Sequence, residues 1–307
     1  MQEKVLGYAD AVLEQAGADV ARVADELEAF SRLLEQADQL RAVLGGAAVP
    51  AAARRGIVRD LLGGKVCEPT LALACFAVQS GPGANYTADI AALGLAAAAK
   101  RDGVPRLDDG PLGRVAAAER LDGYATAVLA GAGQDRLGEV EDELFRFMRT
   151  VEGNEALFRA LTASELPVSV REKVVSDLLR GRATPESARL ASYAARVGRP
   201  RDYLVLLAGL VERVAREAAR RVADVRSATE LTPAQHQRLV AAISRYVGSA
   251  VEARVTVEPG LLGGFVAQVG DTVLDASLRQ RLRQASELLC LPSTQQPGGT
   301  GARQVND

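Results

Sequence analysis

A chain of 307 residues is long enough for two or three domains. Its hydrophobic share of 48% and charged share of 25% are those of a globular protein that buries real cores. A net charge of −2 excludes the basic field that holds nucleic acid or anionic lipid.

The apolar residues are mostly Ala, Leu and Val with no Trp, which suits packed helices better than a sandwich of β-branched strands. The longest apolar runs, Thr70–Val78 and Leu93–Ala99, fall far short of the ~20 residues that span a bilayer. The opening "MQEKVLGYADAV" has neither a signal peptide's charge-then-apolar order nor an Arg-rich transit pattern, so a cytoplasmic protein is expected. Cys67, Cys75 and Cys290 lack metal-ligand spacing and read as reduced, small apolar residues. His236, in "TPAQHQRL", reads as a solvated surface residue rather than a base. No catalytic residue, no metal ligand and no cofactor site is expected.

In chain order, the first organising feature is a duplication. "GYADAVLEQAG" from Gly7 returns as "GYATAVLAGAG" from Gly123. Further on, a constant spacing of 117 matches Glu26 with Glu143, Phe30 with Phe147, Pro50 with Pro167 and Arg54 with Arg171. Each copy reads as a bundle of helices. In the second, Leu121, Tyr124, Val128 and Leu129 form one apolar stripe, and Leu137, Val140, Leu144, Phe147 and Val151 another. Gly153-Asn154 breaks the pattern, a short helix follows, and Pro167 opens the next at a first-turn position. Gly181 closes that helix, "ESARLASYAARVG" gives a fifth ending at Gly198, and a long sixth runs from Arg201 toward Arg220.

The pattern changes near Val222. "VADVRSAT" is strand-like, and Thr232, Pro233 and Gln235 make a strong helix start. "VEARVTVE" alternates, placing Val251, Ala253, Val255 and Val257 on one face. "FVAQV" and "TVL" are two more strands joined at Gly270-Asp271. Asp275 or Ser277 then caps a last helix bearing Leu278, Leu282, Ala285 and Leu289. A phosphate loop needs its glycines between a strand and a helix, whereas Gly263-Gly264 lies between two strands with no Lys-Ser/Thr after it. That pair is expected to shape a sheet.

The expected fold is therefore mainly α with a small α/β C-terminal domain: two tandem six-helix-type bundles followed by a short mixed sheet with two helices. The boundaries are 1–105 for the first bundle, 106–116 for a linker or hinge, 117–220 for the second bundle, 221–290 for the α/β domain and 291–307 for a disordered tail.

The stretch "VEARVTVEPGLLGGFVAQVGDTVLDASLRQRLRQ" resembles the C-terminal motif of the δ subunits of F-type ATP synthases, the family of the mitochondrial oligomycin-sensitivity-conferring protein. Glu258, Gly263, Gly264, Gly270, Asp271, Asp275, Ser277 and Arg281 occupy the motif's places. Upstream, "GYATAVLAGAG" is similar to the family's first helix and "LASYAARVGRP" to its fifth. Ala276 departs from the usual glycine of Asp-Gly-Ser, and Ala267 from a larger apolar residue. The extra first copy resembles actinobacterial forms.

The resemblance implies a non-catalytic stator subunit, peripheral at the cytoplasmic face of the cell membrane and not inserted in it. It implies that the second bundle binds the N-terminal helix of the ATP synthase α subunit, and that the α/β domain holds the C-terminus of the stalk b subunit. It points to helices one and five for the α-binding groove: Tyr124, Ala125, Val128 and Leu129 from one, Leu190, Tyr193, Ala194 and Val197 from the other. The alternative, that these side chains fill the bundle's own core, stays open, as does a free-standing helical adaptor with some other partner. The first copy differs at this face. Glu14 and Gln15 replace Ala130 and Gly131, Phe76 replaces Tyr193, and Gln79 replaces Arg196, so another role is expected for it, bracing the stalk or a second α subunit.

Overall fold

The computed structural model describes residues 2–46, 49–80, 85–106, 111–163, 166–247, 251–258, 260–261, 263–269, 272–278 and 280. The first copy consists of α1 (Gln2–Ala16), α2 (Val20–Gln36), α3 (Asp38–Gly45), α4 (Ala51–Leu62), α5 (Glu68–Ser80) and α6 (Tyr86–Asp102). The second repeats the series as α7 (Arg114–Leu129), α8 (Gln134–Gly153), α9 (Glu155–Thr162), α10 (Val168–Leu179), α11 (Pro185–Val197) and α12 (Tyr203–Arg221). Both copies lie in one compact unit, Met1–Ala218. Helix α7 begins at Arg114, inside the segment expected as linker, and just before it the Leu112 N–H donates to the Val197 carbonyl at the end of α11.

The duplication extends to individual polar contacts. In the first copy a carboxylate oxygen of Glu26 on α2 accepts the Cys67 N–H at 2.9 Å, at the start of α5. In the second, Glu143 on α8 accepts the Thr184 N–H at 2.9 Å and its hydroxyl at 2.7 Å, at the start of α11. Each carboxylate thus satisfies donors that a helix N-terminus leaves without intrahelical partners. Burial would raise both carboxyls, but hydrogen bonds from Thr70, Cys67 and Arg22 on Glu26, and from Ser187 and Thr184 on Glu143, hold both below the ordinary glutamate value. Tyr86 on α6 donates to the Ala74 carbonyl, and Tyr203 on α12 does the same to Ala191. Arg54 and Arg171 are both buried, and Gly64 and Gly181 both take left-handed backbone past a helix end. Pro50 and Pro167 cap α4 and α10 from just outside, one residue earlier than a first-turn proline.

The apolar stripes seen in the sequence form the cores. Leu137, Val140, Leu144, Phe147 and Val151 of α8 face α7, α11 and α12 residues in the second bundle, and Val23, Leu27, Phe30 and Leu34 of α2 anchor the first. Asn154 caps α9 by accepting the Leu157 N–H.

The second unit starts at Ala219. Its sheet has the order β2-β1-β3-β4, built from β1 (Val222–Ser227), β2 (Glu252–Val257), β3 (Phe265–Val269) and β4 (Thr272–Asp275). β2 is parallel to β1 and β3 antiparallel to it, so the sheet is mixed as expected. The parallel connection runs through α13 (Pro233–Val247), whose Leu239 and Ile243 close a core with Ala223, Val225, Val251, Ala267 and Val269. Thr232 and Gln235 form a reciprocal capping box at its start. Val251, Ala253 and Val255 pack on this core, whereas Val257 is exposed at the strand's far end. His236 is half-buried rather than solvated, its Nε2 lying 3.4 Å from the Ala253 carbonyl oxygen. Cys75 is buried and Cys67 half-buried, both free thiols. Cys290, Leu282, Ala285, Leu289 and the tail 291–307 lie outside the described residues.

Candidate functional site: a helix-docking face

The face expected to receive a helix is built by α7 and α11. Apolar residues at three- and four-residue steps bring Tyr124, Ala125, Val128 and Leu129 of α7 against Leu190, Tyr193, Ala194 and Val197 of α11. All eight belong to the core of the second bundle, and each is 9% exposed or less. The rings of Tyr124 and Tyr193 stack with centroids 3.7 Å apart, and the Arg196 guanidinium lies 4.7 Å above the Tyr193 ring.

The first copy lies across this face. Helix α1 crosses α7 so closely that a β-carbon on Gly7 would sit 1.8 Å from the Arg120 carbonyl oxygen, and one on Gly123 1.9 Å from that of Lys4. Ala11 of α1 joins the core of the second bundle. Two carboxylates of α1, one turn apart, meet the tyrosines. Asp10 accepts the Tyr193 hydroxyl at 2.5 Å, and Glu14 accepts the Tyr124 hydroxyl at 2.6 Å. Glu14 also accepts from Arg196 at 2.9 Å, with Arg189 at 3.8 Å. Asp10 pairs with Arg106 at 2.9 Å and with the buried Arg120 at 3.7 Å.

These contacts account for the differences between the copies. Glu14, where the second copy has Ala130, is the partner of Arg196, where the first copy has Gln79. Phe76 stacks on Tyr8 at 3.8 Å, just as Tyr193 stacks on Tyr124, but Phe76 has no hydroxyl to give away. Burial and the Asp10 and Glu14 carboxylates push both tyrosine hydroxyls well up, so they remain donors. Burial alone would lower the Arg196 guanidinium, but Glu14, Tyr193 and Glu172 together raise it. Burial raises the Glu172 carboxyl, with Arg196 opposing and Glu14 adding.

Clefts open beside this turn of α1. One of about 470 Å³ is lined by Ser169, Glu172 and Lys173 of α10 and by Arg189 and Ser192 of α11. Another of about 510 Å³ is lined by Gln15, Ala127, Val128, Pro185 and Arg136. Asp10, Glu172 and Arg189 carry no signal in the sequence that sets them apart, whereas Glu14 does. The signal for Glu14 was the mismatch with Ala130.

In the second unit, the C-terminal motif is a backbone junction. Gly263 and Gly264 take φ of +129° and +82°, which L side chains rarely adopt. A β-carbon on Gly264 would sit 2.4 Å from the Ala276 carbonyl oxygen. The Gly264 carbonyl accepts from Ala228 N–H, and the Gly263 carbonyl from Leu278 N–H, tying the end of β1 and the chain after β4 to one point. The Asp275 carboxylate accepts the Ser277 N–H, and the Ser277 hydroxyl accepts the Gln280 N–H. Glu258 receives Arg226 at 3.4 Å. The glycine pair therefore shapes the sheet. Gly270, Asp271 and Arg281 lie outside the described residues.

Among the described residues, no group of three or more His, Cys, Asp or Glu is placed to hold a metal, and no helix is long and apolar enough to cross a membrane.

The family model described as ATP synthase delta (OSCP) subunit matches residues 6–90, in the first copy, and 122–289, from the second copy through the sheet domain. A protein of Kineococcus radiotolerans named ATP synthase subunit delta is 36% identical over 281 residues, covering 91% of this chain and 92% of its own. Proteins of the same name from Frankia alni, at 36% identity over 88% of each chain, and Streptomyces avermitilis, at 34% over 90% and 91%, align nearly as far. These alignments take in both copies as well as the sheet domain, and the chain belongs to the ATP synthase delta (OSCP) family.

Proposed function

We propose that this chain is a non-catalytic stator subunit of an F-type ATP synthase. It ties the α subunits of the catalytic head to the b-subunit stalk, peripheral at the cytoplasmic face of the membrane, so that rotor torque is spent on ATP synthesis rather than on turning the head. The carrying observation is the family match to both helical copies and to the sheet domain. The second bundle takes the α subunit's N-terminal helix at the α7/α11 face, a helix-in-groove mode. The clefts beside Glu14, with Tyr124, Tyr193, Arg189 and Val128 at their walls, support that location. The α/β unit from Ala219 holds the C-terminus of b.

A two-part pull-down tests the reading. The full chain is expected to retain both a peptide of the α-subunit N-terminus and a C-terminal fragment of b. A chain ending at Arg221 is expected to retain the first and lose the second. Binding of neither by the full chain overturns the stator reading in favour of a free-standing adaptor.

A further inference from the structure

We infer that α1 is the resident ligand of the α7/α11 face, and that an outside helix engages this face only by taking the place of the Asp10–Glu14 turn. Four observations carry this. The two carboxylates lie four residues apart on one helix face and meet two stacked tyrosines, Asp10 on Tyr193 and Glu14 on Tyr124. Between them Ala11, small enough to approach closely, enters the core of the second bundle. Arg196 closes on Glu14 from above the Tyr193 ring. Glu14 then walls one of the clefts that remain at this face and Gln15 another, with Arg189 lining both.

The contact set also defines the class of ligand this face reads. It is an amphipathic helix with two carboxylates at i and i+4 flanking a small residue. Two hydroxyls that donate and a guanidinium converge on the two carboxylates, so a carboxylate-bearing helix suits this face. The reciprocal half of the interface is not equivalent. Phe76 and Gln79 in α5 carry neither the hydroxyl nor the guanidinium that Tyr193 and Arg196 give to α1. The identity of the competing helix rests on the proposed role of the α subunit; the residency of α1 does not.

The test compares the full chain with the nearly isosteric double variant Asp10→Asn/Glu14→Gln, and with Glu14→Gln alone. Hydrogen exchange of the α1 amides is expected to speed up at least tenfold in the double variant and less in the single one, while α9 and α10 stay unchanged. The α-subunit N-terminal peptide is expected to bind the double variant at least tenfold more tightly than the native chain, protecting α11 amides and exposing those of α1. Equal peptide affinity for both chains, or protection of α11 with α1 undisturbed, overturns the inference. If the peptide binds no chain, the α-subunit reading fails and the exchange measurement alone decides: faster α1 exchange upholds residency, and unchanged exchange refutes it.

Discussion

Gly7 and Gly123 each face the carbonyl of the residue three places before the other: Gly7 meets Arg120, and Gly123 meets Lys4. The same position in two copies of one fold thus meets itself across a local two-fold, as in an isologous dimer, although a single chain supplies both halves.

Backbone is in the way at this crossing, so no rotamer can relieve a clash. Gly123→Ala is expected to destabilise the helical unit by about 1–3 kcal/mol, the range for overpacking a close contact. Gly7→Ala is expected to do the same. Gly138→Ala, on α8 where nothing stands within 4 Å of the added carbon, is the control and is expected to be neutral or slightly stabilising. Urea unfolding followed by helical circular dichroism measures all three.

Tyr193→Phe writes into the second copy the residue that the first copy carries at Phe76. The ring stack survives, while Asp10 loses a hydroxyl donor at 2.5 Å. A hydrogen bond to a charged acceptor contributes about 1.5–3 kcal/mol, and Arg106 and Arg120 remain on Asp10 to soften the loss. The expected loss of stability is therefore about 1–2 kcal/mol. No loss would show that the hydroxyl bond contributes nothing to holding α1.

Glu143 supplies a pH dependence of definite sign. Its folded carboxyl is held below the ordinary value of 4.5, so the folded state binds a proton less tightly than the unfolded one. Its contribution is fully present above that value and drains away as the pH falls through the depressed folded one. Replacement by Gln is expected to lower stability at pH 7, and the gap between variant and native chain is expected to shrink steadily below about pH 5. Glu26→Gln is expected to behave alike, since the first copy repeats the arrangement. Denaturant midpoints measured from pH 7 to 3.5 check the sign.

Gly264→Ala combines positive φ with a carbon 2.4 Å from a backbone oxygen. A loss of more than about 2 kcal/mol is expected in the second unit, with the helical unit unaffected. Mg-ATP is expected to give no saturable binding to the native chain by titration calorimetry. A micromolar site would sink the reading of this glycine pair as a sheet junction only.

The fold was legible wherever periodicity or capping set it. The stripes of α8, the capping box of Thr232 and Gln235 and the closing glycine at 181 are local signals, and each produced the element read from it. His236 shows the limit of such reading. Its neighbours along the helix are polar, but β2 passes beneath it, and strand position is a tertiary fact. The docking face shows a subtler limit. Its eight residues could be named from one helical copy and do sit in that copy's core, yet the seating of α1 on Tyr124 and Tyr193 follows from how two copies meet. Single-copy patterning carries no such information. Only the paired exchanges of Ala130 for Glu14 and Gln79 for Arg196 hinted that the copies complement each other.

Helix α12 ends at Arg221 and β1 begins at Val222, with no turn between them, and β1 is an inner strand of the sheet. A pull along β1 itself therefore acts on a strand gripped on both sides. On one side the register runs from Val222–Glu252 to Ser227–Val257, and on the other from Ala223–Val269 to Ser227–Phe265. Inter-strand hydrogen bonds lie across the strands, so a lengthwise load shears both ladders together instead of opening one bond at a time. A strand at the edge would peel. This one has to be dragged, which makes β1 the mechanical clamp of its own sheet.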